Sequence, residues 1–451
     1  MSKSVGWTFL FVLKLAGSQT DKNVHPTSYS SLTTQPLTKT MKYAIVIPDG
    51  CADDPQESLG GKTPLQAARK PNMDRIAQRG LVGLSNNVPA SLTPASDVAT
   101  LSLFGYDPLV VYTGRAPLEA AAMSIRLGPN DWAIRCNLVT IENEEMRDFT
   151  AGHISSEEGK ELIAAIQKVM GRSIKEETEV ITDPARLEFH AGVSYRNILA
   201  FRPGKAPAPF TTETKTQPPH DIPDKPIGGS LPQGPGGDLL RSLMRQSRDV
   251  FRNHPVNQAR RAAGKRPATQ VWLWGQGRAP HLQPFSEVYG KRGAIISAVD
   301  LVRGVGVLLG WTRIDVVGAT GYLNTDYAAK GRAAVAALLG HDLVCVHVEA
   351  PDEASHEGKP AEKVKALEEI DRHIVGPLLK ALPSHGDWRI LVSPDHRTPL
   401  TTRAHSHGSV PFAMAGTGIA AAGQASYDEI VAATGPMNLA KGHELMQRFL
   451  N

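Results

Sequence analysis

Short apolar, β-branched runs alternate along most of the chain with longer stretches of helical periodicity. Tyr43–Ile47 (YAIVI), Leu343–Val348 (LVCVHV) and Arg389–Ser393 (RILVS) are nearly continuous apolar runs of strand length. That is the pattern of strands buried on both faces of a parallel sheet. A further strand is expected near Arg313–Val317. Helices are expected over Thr63–Gly80, from Ser96 toward Phe104, and over Ala294–Leu309, Tyr327–Leu339 and Ala361–Leu382. The last carries Val364, Leu367, Ile370, Ile374, Leu378 and Leu382 on one stripe. Between Gly128 and Pro267 the rhythm changes. Ser155–Gly171 reads as an amphipathic helix with a capping box from Ser155 and Glu158. Glu188–Phe201 is strand-like, and Arg202–Gly237 is so dense in Pro and Gly that an extended surface segment is expected. The expected fold is α/β: a mostly parallel sheet flanked by helices, formed by residues 41–127 and 268–451. A smaller α+β domain, residues 128–267, is inserted between them, and a cleft between two such domains is a natural substrate site.

The polar residues that interrupt this pattern fall where a parallel sheet collects ligands. Asp49 follows the first run, Asp352 and His356 the second, and Asp395-His396 the third. Open α/β sheets bind ligands at the carboxyl ends of their strands, so these residues should converge although they are far apart in sequence. Ser96 opens an expected helix, where a hydroxyl either caps the helix or faces unpaired amides that favour an anion. Asp352 and His356 at i and i+4 share one face of a helical turn. His405 and His407 add imidazoles. Aspartates, histidines and one hydroxyl suit divalent Mn, Mg, Co or Zn. A metal on the Ser96 oxygen would activate it as a nucleophile.

Composition narrows the partners. The net charge of +4 over 451 residues, with no Lys/Arg block, argues against nucleic acid and is compatible with a small anionic substrate. No apolar run is long enough to span a membrane. Cys51, Cys136 and Cys345 form no C-x-x-C pair and suit the reducing cytoplasm, and Cys51 near Asp49 reads as a buried thiol rather than a nucleophile. Residues 1–40, Ser/Thr/Gln-rich after the short apolar stretch Trp7–Leu13, read as a disordered extension rather than a secretory signal.

The blocks MKYAIVIPDG, TPASDVATLSLFGYDP, YTGRAPLEA, WAIRCNLVT, RDFTAGHIS, VSYRNILAF, HDIPDKP, WLWGQG, GATGYLNTDY, HVEAPDEASHEG, SPDH and RAHSHGSVPF occur in that order from Met41 to the carboxyl end. In this the chain resembles the cofactor-independent phosphoglycerate mutases of the archaeal type, within the alkaline phosphatase superfamily. The resemblance implies an alkaline-phosphatase-like fold and two divalent metal ions. Asp49, Ser96, Asp395 and His396 would hold one, and Asp352, His356 and His405 the other. The chain departs from the family pattern at His407-Gly408-Ser409, which leaves His407 as a second candidate for the position of His405. Arg115, Arg135, His153, Arg196 and Lys291 are candidates to hold the phosphate and carboxylate of the substrate, a task that suits the planar guanidinium fork.

The implied activity is interconversion of 3- and 2-phosphoglycerate in glycolysis and gluconeogenesis, through a phosphoserine at Ser96. The alternatives are a related metal-dependent phosphotransferase, homoserine-kinase-like, a phosphatase, or a non-catalytic metal-binding protein. No Walker-type glycine loop supports a nucleotide-dependent kinase.

Overall fold

A computed structural model of the chain describes residues 41–171 and 185–451. The expected amino-terminal extension, residues 1–40, lies outside the described residues. Among those described are thirteen strands: β1 Lys42–Pro48, β2 Leu81–Ser85, β3 Trp132–Glu142, β4 Glu145–Asp148, β5 Arg186–His190, β6 Arg196–Arg202 and β7 Gln270–Arg278, then β8 Gly293–Ile296, β9 Thr312–Arg313, β10 Leu343–Val348, β11 Trp388–Val392, β12 Val410–Gly416 and β13 Met437–Leu439. Eight form one sheet in the order β13-β2-β12-β11-β1-β10-β8-β9. The neighbours pair in parallel except where β12 meets β11 and β2. Its three central strands are the three apolar runs. They are buried because alternate side chains feed two separate cores. Ala44, Val46, Val344 and Val346 pack on the helices Tyr327–Ala337 and Pro360–Ile370, whereas Tyr43, Ile45, Leu343 and Cys345 pack toward Asp300–Leu308 and Glu444–Leu450. Each aliphatic side chain so buried stabilises the fold by about 1.5–3 kcal/mol.

The second sheet is antiparallel. β3 lies between β7 on one side and β6 and β4 on the other, with β5 beyond β6. Its core joins the helices Ser156–Met170 and Gly237–Arg252 to Trp272 and Leu273. The Ser155–Glu158 capping box is formed. β7, although it follows Pro267 in sequence, belongs to this second sheet.

Five expected elements differ, one of them the helix Ala361–Leu382, which a wider turn at Asp371–Val375 interrupts. Thr63–Gly80 is two helices, Pro64–Ala67 and Pro71–Arg79, because Pro71 keeps Lys70 out of the helical region (φ −128°, ψ 60°). Ala294–Leu309 is strand β8 followed by the helix Asp300–Leu308, since the β-branched pair Ile295-Ile296 pairs with β10. Only Thr312–Arg313 of the expected strand near 313–317 pairs, at the sheet edge. Arg202–Gly237 has no long element, as expected, yet it is not purely superficial: Phe210, Ile222 and Ile227 are buried against the second sheet.

Candidate functional site

The register of the large sheet brings the polar residues together. Pro48 lies opposite Val348 and Val46 opposite Val392. The Asp49 amide continues the ladder by donating to Val348 O (3.0 Å), and the Ser393 amide donates to Val46 O (3.1 Å). The chains leaving β1, β10 and β11 therefore turn away side by side, carrying Asp49, Glu349–Asp352 and Asp395-His396. Gly50 turns with φ +59°, and a Cβ there would lie 2.2 Å from Asp352 Oδ1. Only glycine combines that backbone with that approach.

Asp49, Asp395 and His396 form one group, with ligand-type atoms all within 4.8 Å of one another. His396 Nε2 stands 3.5 Å from Asp49 Oδ1, 3.5 Å from Asp395 Oδ2 and 3.1 Å from Ser96 Oγ. Ser96 is the first residue of the helix Ser96–Leu103. Its side chain makes no capping bond, the N-cap being Ala95, so the hydroxyl is directed to the aspartate–histidine group instead. Of the first-turn amides, that of Val98 donates to Asp97 Oδ1 (2.9 Å), and those of Ser96 and Asp97 have no intrahelical acceptor. Asp352, His356 and His405 form a second group. His356 Nε2 is 3.0 Å from Asp352 Oδ2 and 3.1 Å from His405 Nε2, which is 3.5 Å from the same oxygen.

The outer nitrogens of these rings are tied down. His356 Nδ1–H donates to Arg403 O (2.9 Å) and His405 Nδ1–H to Pro94 O (3.3 Å). His396 Nδ1 meets Thr398 Oγ1 at 3.2 Å, while the Thr398 hydroxyl donates to Asp352 Oδ1. Such bonds fix the ring orientation and leave the Nε2 lone pairs for a metal. Thr398 thereby links the two groups, and the His396 and His405 rings lie 4.1 Å apart between centroids. His407 points elsewhere: its Nε2–H donates to Leu92 O (2.9 Å).

Electrostatics fit the same picture. Burial pushes the Asp49 carboxyl well up, and the neighbouring Asp395 and Glu349 add to this. Burial opposes ionisation of Asp395 and Asp352 too, but His396 pulls Asp395 down, and hydrogen bonds from His356 and His405 hold Asp352 well below the usual range. The Asp352 bond in turn raises His356 to about 9. Both oxygens of Asp49 and Oδ2 of Asp395 are buried with no hydrogen-bond partner. Orphaned carboxylate oxygens beside the Nε2 atom of His396 are a donor set that a divalent cation satisfies. The residues present fit metal ions.

The sequence pattern of the family described as 2,3-bisphosphoglycerate-independent phosphoglycerate mutase matches residues 77–257. A relative of that name from Methanothrix thermoacetophila is 47% identical over 410 residues, covering 90% of this chain and 99% of its own. Another, phosphoglycerate mutase 2 of Methanothermobacter thermautotrophicus, is 48% identical over 409 residues, covering 90% of this chain and 97% of its own. This chain belongs to that family. Among solved structures it resembles the PH0037 protein from Pyrococcus horikoshii (28% identity, TM-score 0.74, covering 91% of this chain and 97% of that one). The fold is shared with the cofactor-independent phosphoglycerate mutase from Thermoplasma acidophilum (24% identity, TM-score 0.62, covering 91% of this chain and all of that one). Members of this mutase family are isomerases, and among the described residues no helix is long and apolar enough to cross a membrane.

Two of the candidate arginines, Arg135 and Arg196, lie on the second sheet, and Arg115 opens the helix Arg115–Ala122. Arg135 on β3 is buried, pairs with Glu119 Oε2 at 2.8 Å and lies over the Trp274 ring at 4.0 Å. Burial lowers its pKa, Glu119 opposes, and the charges of Arg115 and Arg196 press the same way as burial. Arg115 stands 3.8 Å from Glu119 Oε1, and the charge of Arg196 reaches Glu353, next to Asp352. His153 is exposed and its ring makes no hydrogen bond or ion pair among the described residues. Lys291 does not join the group, which corrects the expectation for it. It lies over the Tyr43 ring (5.5 Å), six residues before Asp49 and so about 20 Å away at the other end of β1.

Sequence reading missed His347, Glu349 and Thr398. His347 ends the apolar run LVCVHV and passes as a strand residue. A fully buried imidazole at the ligand end of a parallel strand was the available signal.

Proposed function

We propose that the chain interconverts 3-phosphoglycerate and 2-phosphoglycerate, with Ser96 as the nucleophile that holds the phosphoryl group between the two half-reactions. The observation that carries this reading is the Ser96 hydroxyl, 3.1 Å from His396 Nε2 of the first ligand group and at a helix amino terminus. Asp49, Asp395 and His396, with Ser96, hold one divalent ion, and Asp352, His356 and His405 the other. Mn, Mg, Co and Zn all suit this mixed oxygen and nitrogen set. When bound, the ions neutralise charge on the transferring phosphoryl group and lower the pKa of oxygens they touch.

The chain's own residues do the rest. Arg115, at the start of the helix Arg115–Ala122, and Arg135 and Arg196, on the second sheet, bind the substrate's anionic groups and orient its 3-phosphate toward Ser96. In the first half-reaction the Ser96 Oγ–P bond forms and the ester bond to the 3-oxygen breaks; the proton lost by the serine is regained, in net balance, by the departing 3-hydroxyl. Glycerate then presents its 2-hydroxyl, the Oγ–P bond breaks, and the serine hydroxyl is restored. An enzyme independent of bisphosphoglycerate needs such an internal carrier. The arginines also explain why the outcome is transfer rather than hydrolysis: they retain glycerate by its carboxylate while water is excluded. We place the reaction in the cytoplasm, consistent with the unpaired cysteines, all three buried.

The test is a coupled assay with purified, metal-loaded protein and 3-phosphoglycerate, with no bisphosphoglycerate added. Formation of 2-phosphoglycerate, abolished in Ser96→Ala, supports the reading. Release of inorganic phosphate without 2-phosphoglycerate would make the protein a phosphatase.

A further inference from the structure

We propose that a cavity at the far end of the second sheet is an anion site, built for a small phosphate-bearing ligand. Four segments converge on it. The two-residue turn Asn143-Glu144 joins β3 to β4, and β7 begins there with Gln270. The helix Gly237–Arg252 contributes Arg248 and Arg252, and the helix Pro255–Ala262 contributes Arg261. Arg248 and Arg252 are four residues apart, so they share one face of their helix. Ile141 also lines the cavity, six residues along β3 from Arg135 and so about 20 Å from it. The cavity is therefore separate from the site described above.

Its polar groups are only partly used. Arg248 Nη1 pairs with Glu144 Oε1 at 2.9 Å, and Arg248 Nε donates to Gln270 Oε1. The second contact fixes the orientation of the Gln270 amide. Gln270 is 1% exposed, and its Nε2 has no hydrogen-bond partner. A buried amide donor of this kind calls for an acceptor. Arg252 Nη2 pairs with Asp249 Oδ1 at 3.0 Å, from outside the cavity. Arg261 Nη1 donates to Arg252 O at 3.1 Å, and among the described residues no carboxylate pairs with it.

Three guanidinium groups thus line the cavity against a single carboxylate, Glu144. That positive excess matches one phosphate group, which carries roughly −1.5 to −2 near pH 7. The planar guanidinium forks suit its oxygens. The volume is about 240 Å³, just below the roughly 300–1,000 Å³ of pockets that enclose drug-sized ligands. That size suits a phosphate ester of few carbons better than a nucleotide, and Glu144 can accept from a hydroxyl of such an ester. A purely structural salt-bridge network leaves two features unexplained. The third guanidinium has no counter-charge, and the Gln270 donor has no acceptor.

The test is titration calorimetry of the chelator-stripped full chain at physiological salt, with inorganic phosphate and with glycerol 3-phosphate as probes. Stripping removes metal-bound phosphate from the signal, and salt screens diffuse attraction. The wild type is expected to bind at least one probe. Arg261→Gln removes the unpaired charge, and Gln270→Glu keeps the oxygen facing Arg248 but replaces the free donor by an acceptor. Each should bind that probe about tenfold or more weakly. Arg245→Gln alters an exposed arginine of the same helix outside the cavity and should bind as the wild type does. Tighter binding of the ester supports a phosphorylated metabolite as the ligand, and equal or tighter binding of phosphate supports the free ion. The site is overturned by a wild type that binds neither probe, or by either folded cavity variant binding as tightly as the wild type. An equal loss in Arg245→Gln overturns it too, since net charge alone would then account for binding. If Gln270→Glu fails to fold by circular dichroism, the exposed Arg261→Gln decides.

Discussion

Replacing Thr398 by valine removes one hydroxyl from the centre of the site and almost no volume. Thr398 is fully buried, donates to Asp352 Oδ1 and stands 3.2 Å from His396 Nδ1. It therefore positions one residue from each metal group without being a ligand itself. A hydrogen bond to a charged group contributes about 1.5–3 kcal/mol. With 1.4 kcal/mol per tenfold, losing it should weaken metal binding about 10–100-fold, the range found for residues that orient ligands. Valine keeps the shape, so no cavity contributes to the loss. Titration calorimetry of chelator-stripped protein with Mn²⁺ measures the effect directly. Thr398→Ser, which keeps the hydroxyl, should bind metal within a few-fold of wild type. Equal affinities for Thr398→Val and wild type would refute the argument that this hydroxyl sets the spacing of the two groups.

Three further outcomes follow from named contacts. Arg196 is exposed on β6 and its loss should cost the fold less than about 0.5 kcal/mol, so Arg196→Met should raise KM about tenfold or more with metal binding unchanged; an unaltered KM would remove it from the substrate site. Gly50→Ala places a Cβ 2.2 Å from Asp352 Oδ1 on a backbone with φ +59°, and should abolish metal binding at the Asp352 group; calorimetry showing normal binding would contradict this crowding. In the metal-free protein the Asp352 bond raises His356 to about 9 in the folded state, against an ordinary value near 6.5. Its stabilising contribution is therefore complete below about pH 6.5 and is lost as pH rises through about 9. Denaturant unfolding in chelator should show the stability difference between wild type and His356→Gln shrinking across that window, and a difference that grows with pH would reverse the assignment.

Much of the fold was legible because burial on both faces writes itself as continuous apolar runs. Tyr43–Ile47, Leu343–Val348 and Arg389–Ser393 became adjacent parallel strands, with Asp49, Asp352, Asp395 and His396 just beyond their carboxyl ends. The same rule hid His347, which lies within such a run, and Thr398, whose hydroxyl matters only because two distant segments meet on it. Helix boundaries were harder. Pro71 breaks one expected helix through its effect on Lys70. Within Ala361–Leu382 a wider turn at Asp371–Val375 interrupts the winding, where the Asp371 carboxylate accepts from the Asn72 and Met73 amides, contacts no local periodicity reveals. Lys291 was misplaced for a related reason: a basic residue just before a strand sits at the amino end of the sheet, opposite the ligands. The resemblance favoured His405 and kept His407 as a second candidate; in the structure the His405 ring faces Asp352 and His356, whereas His407 donates to Leu92 O.

The central claim is that Ser96 carries the phosphoryl group. The most direct measurement is acid quenching of metal-loaded enzyme during turnover with 3-phosphoglycerate, followed by peptide mass spectrometry. The account predicts phosphate on Ser96 in the wild type, and neither phosphate nor 2-phosphoglycerate with Ser96→Ala. Continued interconversion of 3- and 2-phosphoglycerate by the alanine variant would contradict it.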